Sequence, residues 1–289
     1  MPPAPAVHCG HPVLSAAQRA LIQRWFPGCR LCEDLSWPDG DCAVVLIEYQ
    51  GELFVVKAGA PSHPHIAREI HAYQQPCIQA LAADGLAPRM VEYCADLSIL
   101  ALTYLPGEPA RHEVPAHRGA ARILRVIHDA DTHPRTSLER HLAAATRKWL
   151  RKPHRIPANQ AAWVHDVLAT PPPAPLPEVW CHGDFLPRNW LVHHGAVAVF
   201  DFGRFGIRPA VTDFAHLALY YWPEHPELET AFWQGYGREL SAGECAHLHR
   251  ACLREAVNTA AWAHKVGRPE FERTALRALD HLWRTAGPH

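Results

Sequence analysis

Hydrophobic positions change their period along the chain. VVLIEY and ELFVVKA are β-branched and aliphatic runs joined by Tyr49-Gln50-Gly51-Glu52, the composition of a tight turn, and they predict a hairpin. LCEDL before them reads as a further strand. Upstream, Ser15 and Gln18 stand at capping-box spacing before ALIQRWF, which predicts a helix over about 16–26. After Pro61-Ser62-His63-Pro64 the stretch IAREIHAYQ returns to helical spacing, and Asp84-Gly85 turns the chain into APRMVEYC and LSILALTYL, two more strand-like runs. A small five-stranded antiparallel sheet with one helix against it is the expectation for this part. Beyond Tyr104-Leu105-Pro106-Gly107-Glu108 the pattern is mainly helical. GAARILRVIHDAD carries Ala121, Leu124, Ile127 and His128 at helical spacing, and 138–170 reads as two helices joined near Pro153–Pro157. Alternation reappears in WLVHHGAVAVFDF, a hairpin turning at His194-Gly195. The first 13 residues are Pro-rich and read as an extended arm.

Composition narrows the class. A chain of 289 residues that is 48% hydrophobic can bury a large core. A formal charge of −1 gives no reason to expect nucleic acid or an anionic membrane as a partner. No apolar run reaches the roughly 18 residues of a membrane span, and MPPAPAVHCGHP lacks the layout of a secretory signal, so a cytoplasmic location is expected. Among nine cysteines, Cys29 and Cys32 form a lone C-x-x-C without the second pair that a zinc site needs, and the cysteines read as reduced thiols. The 22 histidines show no H-E-x-x-H pair. Lysine occurs only four times, which draws attention to Lys57 at the end of the second strand of the first hairpin.

The chemistry gathers in Cys181–Gly203, CHGDFLPRNWLVHHGAVAVFDFG. Asp184, Asn189 and Asp201 are oxygen ligands in two loops flanking the second hairpin. Phosphoryl transfer needs such a set: one carboxylate for a hydroxyl proton, and an amide with a second carboxylate for Mg²⁺ on a nucleotide. Order and spacing match H-R-D-x-x-x-x-N followed by D-F-G, with Gly183 in place of the arginine. The H-G-D form with Pro187 before Asn189 resembles the aminoglycoside phosphotransferase and choline kinase family of small-molecule kinases.

The resemblance implies an α+β, bilobal protein-kinase-like fold, with a small antiparallel-sheet N-lobe over 1–104 that binds nucleotide. A larger, mainly helical C-lobe over 105–289 would carry catalysis and the acceptor. It implies Asp184 as the catalytic carboxylate and His182 as a brace of the loop; Arg188 and Arg204 flank the site in sequence and either reach the γ-phosphate or an anionic substrate or are surface or structural residues. Asn189 and Asp201 become Mg²⁺ ligands. Lys57 becomes the ammonium on the α- and β-phosphates of ATP or GTP, with Glu69 as its partner. Leu102, Thr103 and Tyr104 become the hinge that reads the nucleobase through backbone groups. The turn at Asp39-Gly40 either covers phosphates or is an ordinary hairpin turn. Gly206–Ala215 resembles the family's G-x-P-x-x-D-L-A segment, which makes Asp213 a buttress of the catalytic loop. Where the antibiotic kinases carry aspartate-tryptophan-glutamate, this chain has Asp201-Phe202-Gly203.

The acceptor is expected to be a hydroxylated small molecule. Its pocket would come from the helices at 140–170 and beyond 216. Residues 141–170 hold Arg147, Lys148, Arg151, Lys152 and Arg155 against the single acid Asp166, which does not suit a polycationic aminoglycoside. Tyr220, Tyr221, Trp222, Phe232, Trp233, Tyr236, Trp262 and Trp283 serve either the core or stacking on a sugar, a base or a cationic head. An antibiotic is the leading acceptor. Choline, ethanolamine, homoserine or a sugar is the alternative, and a non-catalytic nucleotide-binding module is a third reading. Monomer and dimer both stay open.

Overall fold

The computed structural model describes residues 14–37, 42–61, 63–133, 138–170 and 174–288. Asp39 and Gly40 lie outside the described residues. The order is α1 (Ala16–Trp25), β1 (Arg30–Asp34), β2 (Cys42–Tyr49), β3 (Glu52–Gly59), α2 (Pro64–Tyr73), α3 (Pro76–Ala83), β4 (Met90–Cys94), β5 (Ile99–Thr103), β6 (Glu108–Pro109) and α4 (Val114–Asp129). It continues with β7 (Thr132–His133), α5 (Leu138–Trp149), α6 (Ala158–Ala169), β8 (Glu178–Cys181), a 3₁₀ turn at Pro187–Asn189, β9 (Trp190–His193) and β10 (Ala196–Val199). Then come β11 (Gly206–Pro209), α7 (Val211–Tyr220), α8 (Pro226–Tyr236), α9 (Ala242–Val266) and α10 (Pro269–Ala286).

The chain forms two units. One comprises the residues up to Ala110 together with Arg188–Gly206, and the other comprises Arg111–Pro187 and the residues from Ile207 onward. The segment carrying Asn189 and Asp201 therefore groups with the sheet residues.

The first unit holds a five-stranded antiparallel sheet in the order β1-β2-β3-β5-β4. Its central hairpin turns through Gln50 (φ 53°) and Gly51 (φ 84°), the left-handed pair that suits strand twist. Helix α1 starts as the capping box predicts: the Ser15 hydroxyl accepts from the Gln18 N–H and the Gln18 side chain accepts from the Ser15 N–H. Gln18 Nε2 then donates to the carbonyls of Gly59 (2.8 Å) and Leu97 (2.7 Å), fastening α1 to two sheet segments. Ile22 and Phe26 pack with Ile47, Val56 and Ile99 in this core.

One helix was expected between β3 and β4, and two are present. α2 ends at Tyr73, and Pro76, which has no N–H to continue a helix, sits in the first turn of α3. The unit also holds a second sheet, β10-β9-β6. Gly107 (φ 132°) lies so close to β9 that a Cβ there would fall 2.8 Å from the Val192 carbonyl oxygen.

The second unit contains the β11-β8-β7 sheet and most of the helices. α4 begins at Val114, ahead of the periodic stretch, with Pro115 in its first turn. α4 and α8 approach closely at Gly235, where a Cβ would lie 2.1 Å from the Arg118 carbonyl oxygen. α9 is opened by a second capping box, Ser241 with Glu244, and closed by left-handed Gly267. Leu253, Val257, Leu279, Val164 and Trp163 form its core with α6 and α10. Glu139 at the start of α5, half-buried, pairs with Arg250 (3.0 Å) and Arg254 (2.6 Å) of α9.

Candidate active site

In the first unit, strand β3 carries Lys57 and helix α2 carries Glu69. Both side chains are buried, and Lys57 Nζ donates to Glu69 Oε1 and Oε2 at 2.9 and 3.0 Å. It donates as well to Asp201 Oδ1 at 2.9 Å. Glu69 has a further donor in the Phe202 backbone N–H. Burial alone would lower the Lys57 pKa, but the Asp201 and Glu69 carboxylates outweigh it, so the ammonium is held charged well above the ordinary lysine range. Burial pushes the Glu69 carboxyl up, against the pull of Lys57. The charged, hydrogen-bonded pair is the state this geometry favours.

The second hairpin positions the two candidate metal ligands. The Phe200 N–H donates to the Asn189 carbonyl at 3.0 Å, so the β9–β10 ladder brings the residues on either side of the hairpin together. Asn189 is buried, and its side-chain amide offers a neutral oxygen. Asp201 adopts φ 66°, a left-handed conformation that costs a non-glycine residue on the order of 1 kcal/mol and fixes where its carboxylate points. Its side chain is 42% exposed. Hard oxygen donors of this kind fit Mg²⁺ and do not select a transition metal. Phe202, fully buried, packs edge-on to Tyr73 (5.4 Å) and anchors the segment.

In the second unit, β8 leads into His182-Gly183-Asp184. Gly183 takes φ 83°, the left-handed turn that a side chain would resist. Asp213, at the start of α7, accepts from the His182 N–H (2.8 Å) and the Gly183 N–H (2.7 Å). His128 Nε2 contacts the same carboxylate at 3.1 Å, and His128 Nδ1 lies 2.8 Å from the Tyr236 hydroxyl. With the proton on Nε2, the chain Tyr236–His128–Asp213–loop backbone is satisfied throughout. Burial would raise the Asp213 pKa, but the hydrogen bond and charge of His128, the charge of His182 and the Gly183 N–H together hold it below the ordinary value. The Asp184 N–H donates to His182 Nδ1 at 3.3 Å. His182 is therefore a brace of the loop, and Asp184 is the carboxylate the brace presents, itself 7% exposed.

His128, Cys181 and Asp213 bring ligand atoms within 4.8 Å of one another. Their donors and acceptors are already spent. The Cys181 thiol points at the Arg208 and Pro209 carbonyls, and burial pushes its pKa well up, so it offers no thiolate. The cluster is the loop's support.

The other expected residues fall in several places. Arg188 is exposed on the 3₁₀ turn. Leu102 is buried inside β5 between β3 and β4. The Thr103 N–H donates to the Arg89 carbonyl (2.9 Å) and the Tyr104 N–H to the Leu53 carbonyl (3.2 Å), so both donors are committed to the sheet. The next N–H along the chain is that of Leu105, because Pro106 has none. Of the aromatic set, Phe232 and Tyr236 are buried against Phe214 and Trp222 against Phe232, Tyr220, Tyr221, Trp233 and Trp283 are half-buried, and Trp262 is 44% exposed beside Phe271. Tyr236 as a link in the loop support was not legible locally, since it lies 108 residues from His128.

A sheet bearing a lysine–glutamate pair, a hairpin ending in Asp-Phe-Gly, and a braced His-Gly-Asp loop define the chain as having a kinase-like fold. Residues 43–256 match the model of the phosphotransferase enzyme family, and the chain belongs to that family. No curated protein sequence matches the chain. Among solved structures, it is similar to macrolide 2'-phosphotransferase MphH from Brachybacterium faecium, with 17% identity over 90% of this chain and 95% of that one and a TM-score of 0.61. It is also similar to a thermostable mutant of aminoglycoside phosphotransferase APH(4)-Ia in ternary complex with ADP and hygromycin B, with 13% identity over 95% and 100% of the two chains and a TM-score of 0.67. Choline kinase LicA from Streptococcus pneumoniae matches with 16% identity over 91% and 97% and a TM-score of 0.64.

Proposed function

We propose that the chain transfers the γ-phosphoryl group of ATP or GTP to a hydroxyl of a small molecule, with an antibiotic as the leading acceptor class. The observation that carries this is Lys57 Nζ held by both Glu69 and Asp201, together with the braced Asp184 loop. Residues 1–104 are assigned to nucleotide and 105–289 to catalysis and acceptor. Lys57 lies on the α- and β-phosphates, with Glu69 keeping it charged and aimed. Asn189 and Asp201 would hold Mg²⁺, which when bound neutralises charge on the phosphates. The base is read by the carbonyls of 102–104 and the Leu105 N–H. Asp184 orients the acceptor hydroxyl and takes its proton as the new P–O bond forms and the bond to the nucleoside diphosphate breaks. The transition state is loose, so positioning contributes more than base strength.

The similar solved structures include macrolide, aminoglycoside and choline enzymes by name, so both antibiotic and metabolic acceptors belong in the test. A panel of hydroxylated antibiotics, choline, ethanolamine, homoserine and sugars, scored by nucleoside diphosphate release with ATP and with GTP, assigns the acceptor. With the acceptor so found, Asp184→Asn lowers kcat by about 10²- to 10⁴-fold while nucleotide affinity persists. Unchanged turnover would overturn the mechanism.

A further inference from the structure

The second unit contains a recess of about 320 Å³ between α5 and α6. Its charged lining is of one sign: Arg147, Lys148 and Arg151 from α5 and the turn after it, with the His165 imidazole facing them from α6. Alanine and leucine side chains complete the wall. Among the described residues, no carboxylate pairs with Arg147, Lys148 or Arg151. The nearest acid on α6, Asp166, meets His165 at 3.3 Å with its side chain 82% exposed. Glu139, the acid at the start of α5, is spent on Arg250 and Arg254.

The Arg147 Nε is shielded from solvent and has no hydrogen-bond acceptor. A shielded N–H of a cationic group left without an acceptor is costly. Arg147 and Arg151 are four residues apart, so their like charges repel along the same face. Cations in the last turn of α5 also suit the helix dipole. That accounts for Arg147 and Lys148, but not for Arg151 beyond the helix, for His165 on a different helix, or for the recess between them.

We propose that this recess binds the anionic group, a phosphate or carboxylate, of a small molecule. The guanidinium of Arg147 supplies N–H donors, and Lys148 and Arg151 supply charge from the rim. A fork of guanidinium N–H groups matches either oxyanion. The recess is lined by residues of the second unit, whereas Lys57, Glu69 and Asp201 belong to the first, and it stands whether or not the assignment of the acceptor holds.

The test is a titration of the full chain with inorganic phosphate while the nucleotide site is kept filled with a non-hydrolysable ATP analogue and Mg²⁺. The ¹⁵N-resolved Nε–H resonance of Arg147, identified by its loss in Arg147→Lys, reports binding. A saturable shift is expected, with the midpoint raised at least about tenfold in Lys148→Gln/Arg151→Gln. Both substituted residues are exposed, so that variant keeps its fold, which its melting temperature checks. No saturable shift, or the same midpoint in the double variant, overturns the proposal. Kinetics then separate the two sources of the anion. Phosphate that raises KM for the acceptor at constant kcat assigns the recess to an anionic group of the acceptor, and phosphate that alters kcat at constant KM assigns it to a separate ligand.

Discussion

Replacing Asp213 by Asn is the sharpest test of the loop support. Asp213 Oδ1 accepts from the Gly183 N–H, and Oδ2 accepts from the His182 N–H and faces His128 Nε2. An asparagine must put its NH₂ at one of these two positions. At the first it meets the Gly183 N–H, donor against donor. At the second it can donate to His128 only if the ring gives up its Nε2 proton, and it still meets the His182 N–H. Either orientation strands one buried backbone N–H and forfeits one charge-assisted bond. A bond to a charged group contributes about 1.5–3 kcal/mol, and a stranded donor costs about 1–3 kcal/mol, so the loss is about 3–5 kcal/mol. For a unit of this size that corresponds to a fall of roughly 6–20 °C in Tm. Calorimetry measures the fall, and nucleoside diphosphate release measures kcat, which should drop with the loosened Asp184 loop. Nucleotide Kd by titration calorimetry should stay within about twofold, because Lys57, Glu69 and Asp201 are in the other unit. A Tm within 2 °C of the parent (~0.5–1 kcal/mol on the same scale), or a kcat left intact, would refute the argument.

Glu69→Gln removes one of the two carboxylates on buried Lys57, and nucleotide affinity measured by calorimetry should weaken about 10- to 100-fold with the fold retained. Gly235→Ala drives a methyl into the Arg118 carbonyl, an atom of helix backbone that cannot swing aside; the denaturant midpoint should fall by the equivalent of about 2–3 kcal/mol at unchanged m-value. Burial would raise the Glu244 pKa, but Arg238 and the Ser241 cap hold it at about 2, below its ordinary 4.5. Its contribution is therefore present above pH 4.5 and lost as pH falls toward 2; Glu244→Gln should flatten the stability profile across that window, and a profile identical to the parent's would refute the assignment.

Much of this arrangement was legible because it is local. The β2–β3 hairpin, the α1 capping box and the His194-Gly195 turn each rest on residues within a few positions of one another, and each appears where its spacing puts it. The Lys57–Glu69 pair was legible for a related reason: a strand followed by one helix leaves few ways to orient a rare lysine and an inward glutamate. What escaped depends on long-range geometry. α3 escapes a sequence reading because a proline three residues after α2 starts a second helix without changing the apolar pattern. Sequence shows where the strand of 102–104 ends but not that the Thr103 and Tyr104 N–H groups are engaged by Arg89 and Leu53.

The acidic and basic balance of 141–170 illustrates the same limit from the other side. Sequence shows an excess of cations there, which by itself is compatible with a solvated helix face. Structure adds three facts that a count cannot hold. Glu139 is withdrawn into the α5–α9 interface, His165 comes across from α6, and one guanidinium Nε–H is shielded from solvent without an acceptor. A charge excess is a candidate site only when its counter-charges are spent elsewhere and a recess is left that a ligand can fill. Both conditions hold at the α5–α6 recess. They do not hold at His128, Cys181 and Asp213, where a similar gathering of polar atoms is internally satisfied.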